Sequence, residues 1–173
     1  MKILGVDPGL SGALAVLEIG AEDVRVLEII DVPVLGNKTK QSIDVISVQQ
    51  FLLNHGPQHC IFERARSMPR QGVASTFRYG VATGMLFATV MLCAIPVISI
   101  DPGEWKRKMR LGRDKQLSRQ RALEVLPSGH EYFKRRRDHN RAEAALLALY
   151  GARTRLMATA KAAISEFTGR PAT

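Results

Sequence analysis

Four acidic residues, Asp7, Glu63, Asp138 and Glu143, stand far apart in the chain, each where a strand or helix would turn a carboxylate inward. Asp7 ends the apolar run Ile3-Leu4-Gly5-Val6, Glu63 ends Cys60-Ile61-Phe62, and Glu143 interrupts a helix otherwise made of alanine and leucine. Desolvating an unpaired carboxylate costs several kcal/mol, so acids in such settings call for a positive partner. A hard divalent ion such as Mg²⁺ suits a set of oxygen ligands, and the chemistry on offer is cation-assisted.

Spacing sharpens the reading unevenly. Val6-Asp7-Pro8-Gly9-Leu10-Ser11-Gly12 puts a carboxylate before a tight turn whose glycines admit close approach. The same pattern suits a capped hairpin turn, and it resembles the phosphate loop of actin-like ATPases, whose two lobes exceed this length. Glu63 precedes Arg64-Ala65-Arg66-Ser67-Met68-Pro69-Arg70-Gln71-Gly72, so a simple ion pair accounts for it when it is taken alone. In Asp138-His139-Asn140-Arg141-Ala142-Glu143, residues 139 and 143 share a helix face. Asp138 falls at the helix N-cap, where it could satisfy backbone N–H groups. His139 has three open roles: metal ligand, general base for an attacking water, or first-turn surface residue.

The elements that must position these groups follow from periodicity and punctuation. Strands are expected at Lys2 to Asp7, Ala13 to Leu17 and Val24 to Ile30, joined by Gly and Pro turns. A polar loop near Gly36 to Gln41 leads to a helix from about Asp44 to Asn54, stopped by Gly56-Pro57. Then come a strand at His59 to Glu63, a helix from Val73 to Cys93, a strand at Val97 to Ile100, and a helix opening at Asp101-Pro102 with Glu104 placed for a capping box. Asp114 is expected to cap a helix from Lys115 to Leu126, and the last helix runs from His139 to about Ala152. The result is an α/β fold: a mixed five-stranded sheet, three antiparallel strands then two parallel, flanked by helices in the ribonuclease H-like order. In that sheet the strands carrying Asp7 and Glu63 are neighbours, which sets two carboxylates together unless a proton or cation lies between them. Residues 1–152 are expected to form one ribonuclease H-like domain, and 153–173 a tail that is helical or partly mobile.

The net charge is +9. Residues 1–100 hold eight Lys and Arg against eight Asp and Glu, so the whole surplus lies beyond Ile100. Charge segregated in this way marks a face for a polyanion: nucleic acid first, an anionic membrane surface second. The candidates are Lys106-Arg107-Lys108, Arg110, Arg113, Lys115, Arg119, Arg121 and the run Lys134-Arg135-Arg136-Arg137 directly before Asp138. Trp105 and Phe133 read as core anchors rather than base-stacking platforms; Phe77 and Tyr79 fit either use. Cys60 and Cys93 sit in apolar runs without metal-ligand spacing, which points to a reducing compartment. A strand opening almost at residue 1 leaves no room for an export signal. The uncharged stretch Val81 to Ile100 is as long as a membrane span, but Pro96 and several Thr and Gly residues favour a core or dimer-interface helix followed by a strand.

The blocks GVDPGLSG, IFERARSMPRQGVASTFRYGVATGM, DPGEWKRKM, DKQLSR and DHNRAEAALLALYG resemble, in this order, the RuvC-type Holliday-junction resolvases, and most closely their phage and organellar branch. The resemblance covers most of residues 1–152. It implies a ribonuclease H-like fold, a homodimer, and Mg²⁺-dependent cleavage of four-way DNA junctions, with two ions per site and Mn²⁺ as an alternative. It implies metal binding and catalysis by Asp7, Glu63 and Glu143 and by a fourth ligand near the start of the last helix. The bacterial pattern has two acids three apart on that helix, whereas the residue three before Glu143 here is Asn140. Asp138 is the first substitute, since a hard metal prefers carboxylate, and His139 the second. In the implied mechanism two ions activate water and steady the leaving 3′ oxygen. Lys115, Arg119, Lys134, Arg135, Arg136 and Arg137 would grip phosphates, the loop from Arg64 to Arg78, with Arg70 and Arg78, would enter the junction centre, and the Val73 to Cys93 helix would form the dimer interface. The location implied is a bacterial or phage-infected cytoplasm or an organelle matrix.

Overall fold

A computed structural model describes residues 1–37, 40–66, 72–112 and 114–156. Three strands open the chain: β1 (Lys2–Asp7), β2 (Ala13–Ile19) and β3 (Val24–Asp31). A small antiparallel ladder pairs β4 (Val34–Leu35) with β5 (Ser42–Ile43), and α1 (Val45–His55), β6 (His59–Glu63) and α2 (Val73–Leu92) follow. After β7 (Val97–Ile100) come α3 (Pro102–Lys108), α4 (Lys115–Val125), two 3₁₀ turns (Pro127–Phe133 and Arg136–Asp138), α5 (His139–Gly151) and a π-helical turn at Ala152–Leu156.

The sheet order is β3-β2-β1-β6-β7, antiparallel across β3-β2-β1 and parallel across β1-β6-β7. This is the expected ribonuclease H-like arrangement. Alternation along β1 sends Leu4 and Val6 to one face, where they pack with Phe62, Val48, Leu52, Leu86 and Val90 beneath α1 and α2. Ile3 goes to the other face with Ile61, Trp105, Ala122, Phe133 and the apolar side of α5. Every residue of α5 from Ala142 to Gly151 is buried, so the helix forms a central layer and needs no polar face.

Three local readings change. The segment expected as a plain polar loop contains the β4–β5 ladder, too short for a periodicity signal. Glu104 does not turn back on its own helix N-terminus, where Asp101 alone caps Gly103 and Glu104. Its carboxylate instead accepts from the Tyr150 hydroxyl and pairs with Arg155. Strands β2 and β3 run one or two residues past their expected ends: Glu18 continues β2 by pairing with Arg25, and Asp31 continues β3 opposite Ala13. No helix among the described residues is long and apolar enough to cross a membrane.

Candidate active site

Period-two alternation places Asp7 on the α5 face of β1, two residues beyond Gly5. Parallel pairing aligns Val6 with Phe62, so Glu63 emerges beside Asp7 at the same edge of the sheet. Glycine is required at position 5: a Cβ there would stand 2.0 Å from the Ala144 carbonyl oxygen and 2.9 Å from the Ala148 Cβ. The missing side chain lets α5 settle onto β1, which carries Glu143 over the two strand ends. Glu63 also lies opposite Ile100, the last residue of β7. Helix α3, capped by Asp101, therefore begins at the acidic edge and brings Trp105 and Lys106 to it.

Asp7, Glu63 and Glu143 line one open cleft of about 490 Å³ together with Tyr79, Lys106, Lys115 and Asn140. The Asp7 carboxyl is held well above the ordinary carboxylate range, first by burial and then by repulsion from Glu143 and Glu63. Burial likewise raises Glu63, against the opposing pull of Lys106 and a hydrogen bond from Trp105. The Lys106 ammonium donates to Glu143 Oε2 at 2.6 Å and lies 3.8 Å from Glu63 Oε2. Burial lowers its pKa, but Glu63 and Glu143 outweigh that and the net shift is upward. Two neutral donors complete the set: Trp105 Nε1 to Glu63 Oε2 at 2.8 Å, and Ser118 Oγ to Glu143 Oε1 at 3.1 Å.

Among the described residues no three His, Cys, Asp or Glu side chains are grouped to hold a metal ion as they stand. Lys106 reaches into the space that the glutamates share and supplies the positive charge there. The chemistry of the donor set nevertheless fits a hard divalent cation. Three carboxylates meet in one cleft, and nothing among the described residues donates a hydrogen bond to Asp7. A cation held by these carboxylates would have to compete with Lys106 for Glu63 and Glu143.

The other expected ligands stand apart from this group. Asp138 is 3 % exposed and lines a neighbouring depression of about 400 Å³ rather than the acidic cleft. Its carboxylate accepts from the Arg135 backbone N–H at 2.8 Å and from Arg135 Nε at 3.0 Å. Burial pushes its pKa up, the Arg135 bonds overcome that, and the acid is held below its ordinary range. The chain thus enters α5 with Asp138 turned back on its own 3₁₀ turn. His139 lies in the same depression, 3.3 Å from Lys115 Nζ. Asn140 is the residue of this helix entry that faces the acids, its amide donating to the Ser11 carbonyl at 2.5 Å.

Basic residues flank the cleft on both sides. A depression of about 780 Å³ shares Glu63, Tyr79 and Lys106 with it and adds Arg64, Arg66 and Arg107. The other depression carries Lys115, Arg135 and Arg137. Arg136 and Arg137 are exposed, Lys134 pairs with Glu131, and Arg119 donates to the Phe133 carbonyl and to Gln116. Arg78 is exposed on α2 beside Leu10 and Met85. Arg70 lies outside the described residues. A linear reading gives Lys106 as one cation of a basic run and Trp105 as a core anchor and passes over Ser118; it does not bring any of the three to the acids. The available signal was topological: in α/β sheets, functional groups gather beyond the carboxyl ends of parallel strands, where α3 begins.

No family model matches the chain, and no curated protein sequence matches it significantly. Solved structures do. RuvC of Thermus thermophilus in complex with a Holliday junction substrate superposes with a TM-score of 0.65 over 90 % of this chain and 97 % of that one, at 17 % identity. The chain has a RuvC-like fold. The fowlpox virus Holliday junction resolvase matches with a TM-score of 0.57, 15 % identity and coverage of 89 % and 99 %. The yeast mitochondrial Holliday junction resolvase gives 0.60, 16 % identity and coverage of 86 % and 76 %. These structures cover 86–90 % of this chain.

Proposed function

We propose that this chain is a divalent-cation-dependent endonuclease that resolves four-way DNA junctions as a homodimer. The observation that carries the reading is the convergence of Asp7, Glu63 and Glu143, from three separate elements of a RuvC-like fold, in one open cleft between two basic depressions. Asp7, Glu63 and Glu143 would hold Mg²⁺ or Mn²⁺, which supplies an activated water and stabilises the leaving oxygen of a phosphodiester. The chain's own part is positioning. Arg64, Arg66 and Arg107 on one side and Lys115 and Arg137 on the other would take phosphates on either flank of the one being cut. Lys106 keeps the glutamates together before a cation arrives. Asp138 joins the site only if Arg135 releases it, and His139 shares its depression, so Asn140, which lines the acidic cleft, is the helix-entry residue already in place.

The dimer rests on α2, whose Val73, Phe77, Val81, Met91 and Leu92 remain exposed along one helix. A twofold pairing there provides two clefts for two opposed strands. Both cysteines are free thiols, in keeping with a reducing cytoplasm or organelle matrix. The test is a cleavage panel with and without Mg²⁺: a mobile four-way junction, a flap, an RNA–DNA hybrid and linear duplex. Paired symmetric nicks in the junction support the proposal. Preferential cutting of hybrid or flap redirects the same fold to another substrate, and a monomer by sedimentation removes the paired-cut mechanism.

A further inference from the structure

The two glutamates of the cleft are each gripped by a buried, uncharged donor from the α3–α4 segment. Trp105 is fully buried, and its indole N–H could have been left facing any carbonyl of the core; it donates to Glu63 Oε2 at 2.8 Å. Ser118 is 3 % exposed and donates to Glu143 Oε1 at 3.1 Å, an unusual hydroxyl on the buried side of a helix. Indole can only donate, so this bond needs an oxygen acceptor and favours the ionised carboxylate. A neutral donor differs from Lys106 in one respect that matters here. It fixes the direction of the carboxylate without cancelling the charge that a cation must find.

We infer that Trp105 and Ser118 are positioning residues for divalent-cation binding, and that the emission of Trp105 reports occupancy of the cleft. The chain contains one tryptophan, so the optical signal has a single origin. The inference rests on the proposal that the carboxylate cleft is the cation site; it adds how the cleft is held ready. Removing hydrogen-bond partners behind metal ligands typically weakens affinity about 10–100-fold.

The experiment titrates MgCl₂ into the full-length protein without DNA and reads indole emission and thermal midpoint in parallel. Wild type is expected to show a saturable emission change whose midpoint matches that of the thermal response, and Glu63→Gln to lose the emission change. Ser118→Ala, which keeps the fluorophore, is expected to need at least about 10-fold more Mg²⁺, and Ser118→Thr to restore the wild-type midpoint by restoring the hydroxyl. Trp105→Phe, read by thermal midpoint, is expected to shift in the same direction. A thermal response to Mg²⁺ with no emission change, or an unshifted midpoint in Ser118→Ala, overturns this inference and leaves the nuclease proposal standing. Absence of any Mg²⁺ response in wild type overturns both. Normal Mg²⁺ responses with no junction cleavage support the inference and sink the junction-resolving function.

Discussion

Replacing Gly5 by alanine is expected to unseat the helix that delivers Glu143, at a cost that the geometry lets one bound. The new Cβ would lie 2.0 Å from the Ala144 carbonyl oxygen, whereas ordinary contact begins at 3.4 Å. The obstructing atom is helix backbone, not the tip of a flexible side chain, so α5 must move away from β1 by about the difference, roughly 1.4 Å. Overpacking of a close-packed core costs about 1–3 kcal/mol, and a rigid backbone obstacle belongs at the upper end. For a chain of this size, 3 kcal/mol lowers the thermal midpoint by about 6–12 °C. A displacement of about 1 Å at a catalytic group costs on the order of 100-fold in rate, so cleavage should fall further than stability alone explains. The assay is paired: urea denaturation for stability, and single-turnover junction cleavage at a temperature where the variant is folded. A Gly5→Ala protein within about 0.5 kcal/mol of wild type, cutting at the wild-type rate, would refute the claim that this close approach sets the site.

Other expectations concern charge. Lys106→Met removes the 2.6 Å bond to Glu143 and should destabilise the cation-free protein by about 1.5–3 kcal/mol, with Mg²⁺ restoring more stability to the variant than it adds to wild type in thermal melts. The hydrogen bond from Arg141 holds the Asp31 carboxyl below its ordinary range, so the stabilisation from this pair is present at neutral pH and is lost as pH falls through the lowered value. Asp31 is largely exposed, which limits that contribution to about 0.5 kcal/mol; Asp31→Asn should match wild type in denaturation at strongly acid pH and fall slightly below it at pH 7. Junction binding should weaken steeply with salt, and Arg107→Ala or Arg137→Ala should each lower the log–log slope by about 1 in a titration series.

Strand periodicity alone was enough to make Asp7 and Glu63 neighbours, because two apolar runs each ending in an acid have few ways to pair in a parallel sheet. Glu143 was legible as a lone charge in an otherwise apolar helix. What stayed hidden depended on contacts across the fold. Trp105 and Ser118 look like an ordinary core anchor and an ordinary helix serine until β7 delivers α3 to the acidic edge. Lys106 was indistinguishable from the cations beside it, although it alone of that triplet lies against two glutamates. Asp138 stands apart from the cleft for a local reason that the sequence does not display: an acid three residues after an arginine can close a ring within its own turn, and Arg135 takes both of its oxygens.

Anomalous diffraction from crystals soaked in MnCl₂ tests the central claim most directly. Manganese is expected among the carboxylates of Asp7, Glu63 and Glu143, with the Lys106 ammonium drawn away from Glu143. Manganese bound elsewhere, or a cleft in which Lys106 keeps both glutamates at saturating ion, would contradict it.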